Sequence, residues 1–333
     1  MEENVYPDSV RDRLRRAFDD YEHDLVGLAS NSLAGATHLV TSRKGLYAVN
    51  DREWSLIVPG FFFGLTFRDN EIFVFEACDL PHSPLRRGRV VRFLHRDGVI
   101  TKADVVAKGL DSGCHQMDLC AGRLHVMDTY NQQVIRFEPG EASRTLISPL
   151  PTPPYGRWAN TDRRYVHANS LLHVGETYLL LLHNGFEHTG RLSEIALYNN
   201  DWQPTGRWQL EGRSCHGLAL LEDGTMLTCD SAAGDVITAQ GMRLHVSPYM
   251  TRGLAVGADS IAVGASLRAR REERSESSGT VTFLDRDFRI RTVLELPGAP
   301  TEVRRLDGED SGLSSYLERV PWGQSLQPGI EIV

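Results

Sequence analysis

Cys114-His115-Gln116-Met117-Asp118-Leu119 is followed by Gly122-Arg123-Leu124-His125-Val126-Met127-Asp128 and then by Gln133-Val134-Ile135-Arg136-Phe137. The pattern is an apolar-rich strand, a Gly-containing hairpin, a second strand ending in Asp, a loop and a third strand. Farther along, Cys215-His216-Gly217-Leu218-Ala219-Leu220, then Asp223-Gly224-Thr225-Met226-Leu227-Thr228-Cys229-Asp230, then Gly234-Asp235-Val236-Ile237 repeat that order. Self-similarity of this kind is the signature of a repeat architecture.

The same frame fits three more stretches. They open at Phe63-Gly64-Leu65, at Val166-His167-Ala168-Asn169 and at Thr251-Arg252-Gly253-Leu254. Taking Phe63, His115, His167, His216 and Arg252 as anchors, the spacings are 52, 52, 49 and 36 residues. Those lengths suit four-stranded propeller blades with loops of variable size. A further inner strand, Pro300-Thr301-Glu302-Val303-Arg304-Arg305-Leu306, has no blade after it. The segments His38–Ser42, Gly45–Asn50 and Trp54–Val58 have outer strands and no inner one. Joining the two makes a sixth blade, closed by both ends of the chain, which leaves no open sheet edge in the ring. The expected fold is all-β, a six-bladed β-propeller with a C-terminal strand closing the first blade.

Only the start of the chain reads as helix. Val10, Leu14, Phe18, Tyr21 and Leu25 recur at three- and four-residue intervals, and Asp8 or Ser9 is placed to cap the segment. A helix packed on the outside or bottom of the main domain is expected. The organisation is then an N-terminal helical arm (1–30), the propeller (31–310) and a C-terminal tail (311–333).

Of 333 residues, 36 are Lys or Arg and 44 Asp or Glu, a formal charge of −8. An acidic chain without clustered cations argues against nucleic acid as a partner. No apolar run is long enough to span a bilayer, and Met1-Glu2-Glu3-Asn4 does not begin a secretory signal. Cys78, Cys114, Cys120, Cys215 and Cys229 form no CxxC pair and read as reduced, buried thiols of a cytoplasmic protein. Adjacent strand residues face opposite ways, which turns Cys114 and Cys215 away from the channel.

First strands line the axis of a propeller, so Glu302, Phe63, His115, His167, His216 and Arg252 are expected to converge near one mouth. Three histidines at one repeat position resemble a metal site, and neutral imidazole suits Zn, Fe, Cu or Mn. Glu302 is the candidate fourth ligand or general base. Arg252 is the candidate fork for an anionic group, or else the ion-pair partner of Glu302. Glu76, Asp128 and Asp230 end second strands near the same mouth, where they would accept from imidazole N–H groups and share in catalysis. His183 stands at the matching place in the fourth blade. Loops 77–88, 183–192 and 265–279 would rim the site. The run Arg268-Ala269-Arg270-Arg271-Glu272-Glu273-Arg274 reads as a solvated loop, and His82 and His188 as surface histidines.

The repeat resembles the six-bladed propellers of the SMP-30/gluconolactonase/strictosidine-synthase-like group over roughly residues 60–305. The third- and fifth-blade strings are similar to that group's Asn-Gly-Leu-Ala inner strand, Gly hairpin and Asp-ended second strand. The resemblance implies a divalent cation on the axis, with Glu302 in the first-blade place. It puts His115, His167 and His216 where amide ligands are expected, which favours a transition metal over calcium. The expected function is a metal-dependent hydrolase or lyase acting on a small anionic molecule. A non-haem iron or copper oxygenase and a non-catalytic binding scaffold are the alternatives.

Overall fold

A computed structural model describes residues 8–80, 83–153, 162–221, 224–238, 241–266, 275–307 and 330–331. The loop run Arg268–Arg274, His82 and most of the tail fall outside them.

Six antiparallel sheets follow one another in chain order. The first blade is inner strand Pro300–Arg305 followed by His38–Ser42, Gly45–Val49 and Trp54–Pro59. Both ends of the chain therefore build it, as the sequence requires. The second runs Phe62–Arg68, Glu71–Ala77, Gly88–Arg96, Val99–Leu110, and the third Met117–Cys120, Arg123–Asp128, Gln133–Phe137, Thr145–Ile147. The fourth is Ala168–Val174, Thr177–Leu182, Glu194–Asn199, Pro204–Gln209, with Ile330–Glu331 added as a fifth strand on its outer edge. His216–Leu220, Met226–Asp230, Asp235–Thr238 and Arg243–His245 form the fifth. Met250–Val256, Ser260–Ser266, Gly279–Asp285 and Ile290–Leu296 form the sixth.

Inner and second strands are buried on both faces, which explains their near-continuous apolar runs. The core lies between blades. Phe73 and Phe75 of the second blade meet Met117, Leu119 and Val126 of the third, and Val40 and Val303 of the first meet Ala262 and Val281 of the sixth. Cys114 and Cys215 lie in such clusters, and all five cysteines are buried free thiols.

The helix spans Asp8–Glu22. It ends where Asp24 takes φ 53°, a left-handed conformation that Asp tolerates. Leu25 therefore lies beyond the helix and is exposed. Val10 is buried in the cluster between the second and third blades, and Leu14 packs against it. Phe18 takes the Arg87 guanidinium over its ring at 4.1 Å, and Arg13 reaches Glu276 at 2.6 Å. Arg87 and Glu276 belong to loops that leave second strands at the end where inner strands begin. The helix is thus on the mouth side of the propeller, a correction to the expected outside or bottom placement. Arg89, 1% exposed, fixes its exit by donating to the carbonyls of Asp20 and Leu25 and to Glu76. Among the described residues no helix is long and apolar enough to cross a membrane.

Candidate functional site

Each inner strand begins with an irregularity that sets where its side chains point. In the fifth blade His216 pairs with Cys229 and Leu218 with Thr228, leaving Gly217 as a bulge residue at φ 73°. Such a bulge re-aims neighbouring side chains, here into the channel. In the fourth blade Ala168 pairs with Leu182 and Ser170 with Leu181, so the bulge residue is Asn169. Ala168, not His167, therefore shares the register of His216. His167 precedes it by one and still faces the mouth because its own backbone is left-handed, φ 50°. A non-glycine residue held there is strained and marks a constrained site.

The first blade departs in the other direction. A Cβ on Gly64 would meet the Met117 nitrogen at 2.6 Å, and one on Gly253 would meet the Val303 nitrogen at 2.7 Å. Val303 thus corresponds to Met117, and Glu302 to Gln116 rather than to His115. Thr301 is the anchor-register residue. Glu302 lies one layer deeper, beside Gln116, Asn169, Gly217 and Gly253, in a space of about 10 Å³ that His115, His216 and Arg252 also line.

Above that layer a cavity of about 240 Å³ opens at the mouth. Phe63, His115, His167, His216 and Arg252 line it, as expected from the anchors. Arg43, Tyr130, Tyr165 and His183 join them. The imidazoles form a cluster: ring centroids are 5.1 Å apart for His115 and His167, 4.7 Å for His167 and His183, and 5.2 Å for His183 and His216. His183, expected to orient the others, is a lining residue in its own right.

In each of the four, Nδ1 already has a partner. His115 Nδ1 is 2.7 Å from the Gly113 carbonyl, and His216 Nδ1 is 3.0 Å from the Ser214 carbonyl. A carbonyl only accepts, so both Nδ1 atoms carry hydrogen and both Nε2 atoms keep a lone pair. His183 is the opposite. Its Nδ1 accepts from the Gly185 N–H at 3.0 Å, which puts the hydrogen of the neutral ring on Nε2. His167 Nδ1 meets the Tyr165 hydroxyl at 2.7 Å. Burial first, and the charge of Arg252 second, hold the pKa values of His115 and His216 well below the usual histidine range, so both rings are neutral at pH 7.

The acids expected on the imidazoles are committed elsewhere. Asp128 accepts from Asn131 and Gln133, Asp230 from the Arg213 N–H and from Arg243, and Glu76 from Arg89. A strand-ending acid folds back onto its own turn or its blade's outer strand, and backbone carbonyls orient the rings instead. Glu302 accepts from the Val303 N–H and faces Arg304 at 3.8 Å. Burial pushes its pKa up to about 7 against the pull of Arg304.

Of the expected metal set, His115, His167 and His216 line the mouth cavity, whereas Glu302 lines the smaller space below it together with His115 and His216. Among the described residues no three His, Cys, Asp or Glu side chains are arranged to hold a metal ion. In the lower layer Gln116 Oε1 accepts from the Leu171 N–H and Asn169 Oδ1 from the Ser170 hydroxyl.

Arg43, Tyr130 and Tyr165 were not singled out from the sequence. The signal for Arg43 is its place in the Ser42–Gly45 turn, which joins a second to a third strand and so opens at the mouth. The same topology marks Tyr130, two residues past Asp128.

No protein-family model matches this chain. No curated protein matches it by sequence. Several solved structures share its fold. A chain of a nidogen/laminin complex is 8% identical, with TM-score 0.56, over 81% of this chain and 98% of that one. A Bacteroides caccae protein of unknown function is 13% identical, with TM-score 0.52, over 81% and 99%. A protein taken to be a gluconolactonase is 14% identical, with TM-score 0.51, over 84% and 89%.

Proposed function

We propose that the mouth cavity is the active site of a hydrolase or lyase acting on a small anionic molecule, with imidazole as the base. One observation carries the reading: His115 and His216 are fixed as neutral rings with Nδ1–H on a main-chain carbonyl and a lone pair at Nε2. Such an Nε2 takes a proton from a water, or from carbon next to an acidifying group, without first losing one of its own. The carbonyl at Nδ1 then stabilises the imidazolium that forms.

Arg252 and Arg43 supply the attraction for an anion, and the anion in turn alters the bases. A bound negative charge beside Arg252 offsets the field that depresses both imidazoles, so each becomes a stronger base only when substrate is present. His183, whose hydrogen is on Nε2, is the complementary donor to a leaving group or developing oxyanion.

The test has two parts. Long-range nitrogen–proton NMR on histidine-labelled protein should show His115 and His216 neutral and Nδ1-protonated at pH 6.5. A panel of small lactones and of carboxylates or phosphates with an eliminable group should then show turnover that His115→Gln and His216→Gln each reduce by 100-fold or more, in line with a general-base contribution of about 10²–10⁴. Charged imidazoles at pH 6.5, or turnover indifferent to both substitutions, would remove the proposal.

A further inference from the structure

Closing the ring removes the inner sheet edges of the propeller, but each blade still ends in an outer strand, and an unpaired outer edge is a template for another strand. Five of the six outer strands are short or covered. Thr145–Ile147 and Arg243–His245, of the third and fifth blades, are three residues long. In the first blade the Ala29 and Ser30 N–H groups donate to the Ile57 carbonyl of Trp54–Pro59. In the second the Ile100 N–H donates to the Asn31 carbonyl, and Arg144 donates to the Lys108 carbonyl. In the fourth Ile330–Glu331 pairs with Arg207 and Trp208.

The sixth blade is the exception among the described residues. Its outer strand, Ile290–Leu296, is seven residues long. It pairs with Gly279–Asp285 on one side and with no described strand on the other. No Pro interrupts it, and Val293 at its middle is 51% exposed. Arg291 is a bulge residue, since Thr292 pairs with Phe283 and Ile290 with Leu284. A bulge there bends the head of the strand and leaves Thr292–Leu296 regular.

We propose that this edge pairs with the same edge of a second copy of the chain, as an antiparallel dimer with its two-fold axis at Val293. The order of charges along the strand selects that partner. Arg291 lies two residues before Val293 and Glu295 two residues after it. An antiparallel copy therefore sets Arg291 of each chain opposite Glu295 of the other, so one sequence supplies two opposite-charge cross-strand pairs. A parallel pairing in the same register would set like charges together. Both side chains are exposed, and neither is in an ion pair with another described residue. Val293 meets its own copy at the axis and Thr292 meets Leu294, which covers the exposed apolar residue. The edge lies on the rim of the ring, so the inference is independent of the imidazole reading of the mouth.

Sedimentation velocity of the full chain over a concentration series tests this. Pairing through one strand edge belongs to the small, transient class of interfaces, so the dimer should dissociate at about micromolar concentration. Val293→Lys sets two ammonium groups at the axis and should leave monomer throughout. Arg291→Glu and Glu295→Arg should each weaken the dimer by roughly 2- to 30-fold, because symmetry makes each substitution remove two cross-strand pairs. The double variant, Arg291→Glu with Glu295→Arg, puts opposite charges back across the axis and should recover the parental dissociation constant. All the replaced side chains are exposed, so every variant should melt with the parent. A parent that is monomeric throughout, a dimer that Val293→Lys leaves intact, or a double variant no tighter than the single ones would each overturn the proposal. Dimerisation that appears only when the chain is ended at Asp307 would assign the edge to the chain's own tail and overturn it as well.

Discussion

Nδ1 of His216 stands 2.9 Å from the Ser231 hydroxyl oxygen, and that hydroxyl donates onward to the Thr251 carbonyl at 2.6 Å. With its hydrogen spent, the Ser231 oxygen serves the imidazole as an acceptor, like the Ser214 carbonyl. Two acceptors around one N–H leave the ring a single neutral tautomer. Replacing Ser231 by Ala removes one of them and keeps the other. The tautomer should survive, and turnover should fall by about 2- to 12-fold, the value of one ordinary hydrogen bond. Titrating the His216 nitrogens alongside the rate checks both halves.

Arg252 is the charged group that bears most on both candidate bases. Arg252→Leu should therefore raise the pKa of His115 and of His216 together and leave His125, within the second strand of the third blade, where it was. Carbon–proton NMR titration of the three rings measures this. Unmoved titrations of His115 and His216 would take Arg252 out of the cavity.

Arg89 and Glu76 form a pair with both side chains at most 3% exposed. Two further arms of the guanidinium hold the chain leaving the helix. Arg89→Met leaves a carboxyl in the interior with its counter-charge gone and frees that segment. A loss of about 3–5 kcal/mol is expected, the cost of breaking a buried pair from one side. Arg89→Met with Glu76→Gln should recover part of it, since no buried charge is then left alone. Chemical denaturation of the three proteins gives the comparison.

The blade count, the closing strand and three of the four imidazoles were legible because hairpins and Asp-ended second strands repeat at a scale that a one-residue error does not disturb. Side-chain direction was less legible. His167 and Ala168, or Thr301 and Glu302, look interchangeable as anchors until strand pairing assigns the bulge to Asn169 in one blade and the Gly253 contact aligns Val303 in the other. A shift of one position separates a channel layer from the next. That step sets Glu302 below the anchor layer, in which Thr301 stands instead. The helix was found by its apolar stripe, but a stripe gives no indication of which end of a propeller it covers.

Buried neutral histidines make the fold acid-sensitive. His38 and His125 are each held at about 4 against 6.5, chiefly by burial. A depressed histidine favours the folded state fully above its unfolded pKa, and that contribution is lost as pH falls toward the folded value. Each contributes roughly 3 kcal/mol between the two limits, at about 1.36 kcal/mol per unit. Stability should be flat above pH 7 and decline from about pH 6.5 to 4. His125→Gln should flatten part of the slope; an unchanged pH profile would show that the ring is solvated.

The last prediction concerns closure. In the strand Pro300–Arg305, Glu302, Val303, Arg304 and Arg305 pair with Thr41, Val40, Leu39 and His38, and Val303 is buried in the cluster between the sixth and first blades. A chain ending at Gly298 loses the inner strand of a blade. It exposes the inner edge of His38–Ser42 and opens the ring to both neighbours, and an unpaired edge of that kind aggregates. A chain ending at Asp307 keeps the strand and, among the described residues, loses only the outer-edge pairing of Ile330–Glu331 with Trp208 and Arg207. The longer truncation product should be soluble and melt cooperatively, close to full length. The shorter should be insoluble or lack a cooperative transition. Full-length Val303→Ala, which keeps the pairing and removes two methyl groups from the interface, should cost about 2 kcal/mol. If the chain ending at Gly298 melts like its parent, the first blade is closed by something other than this strand.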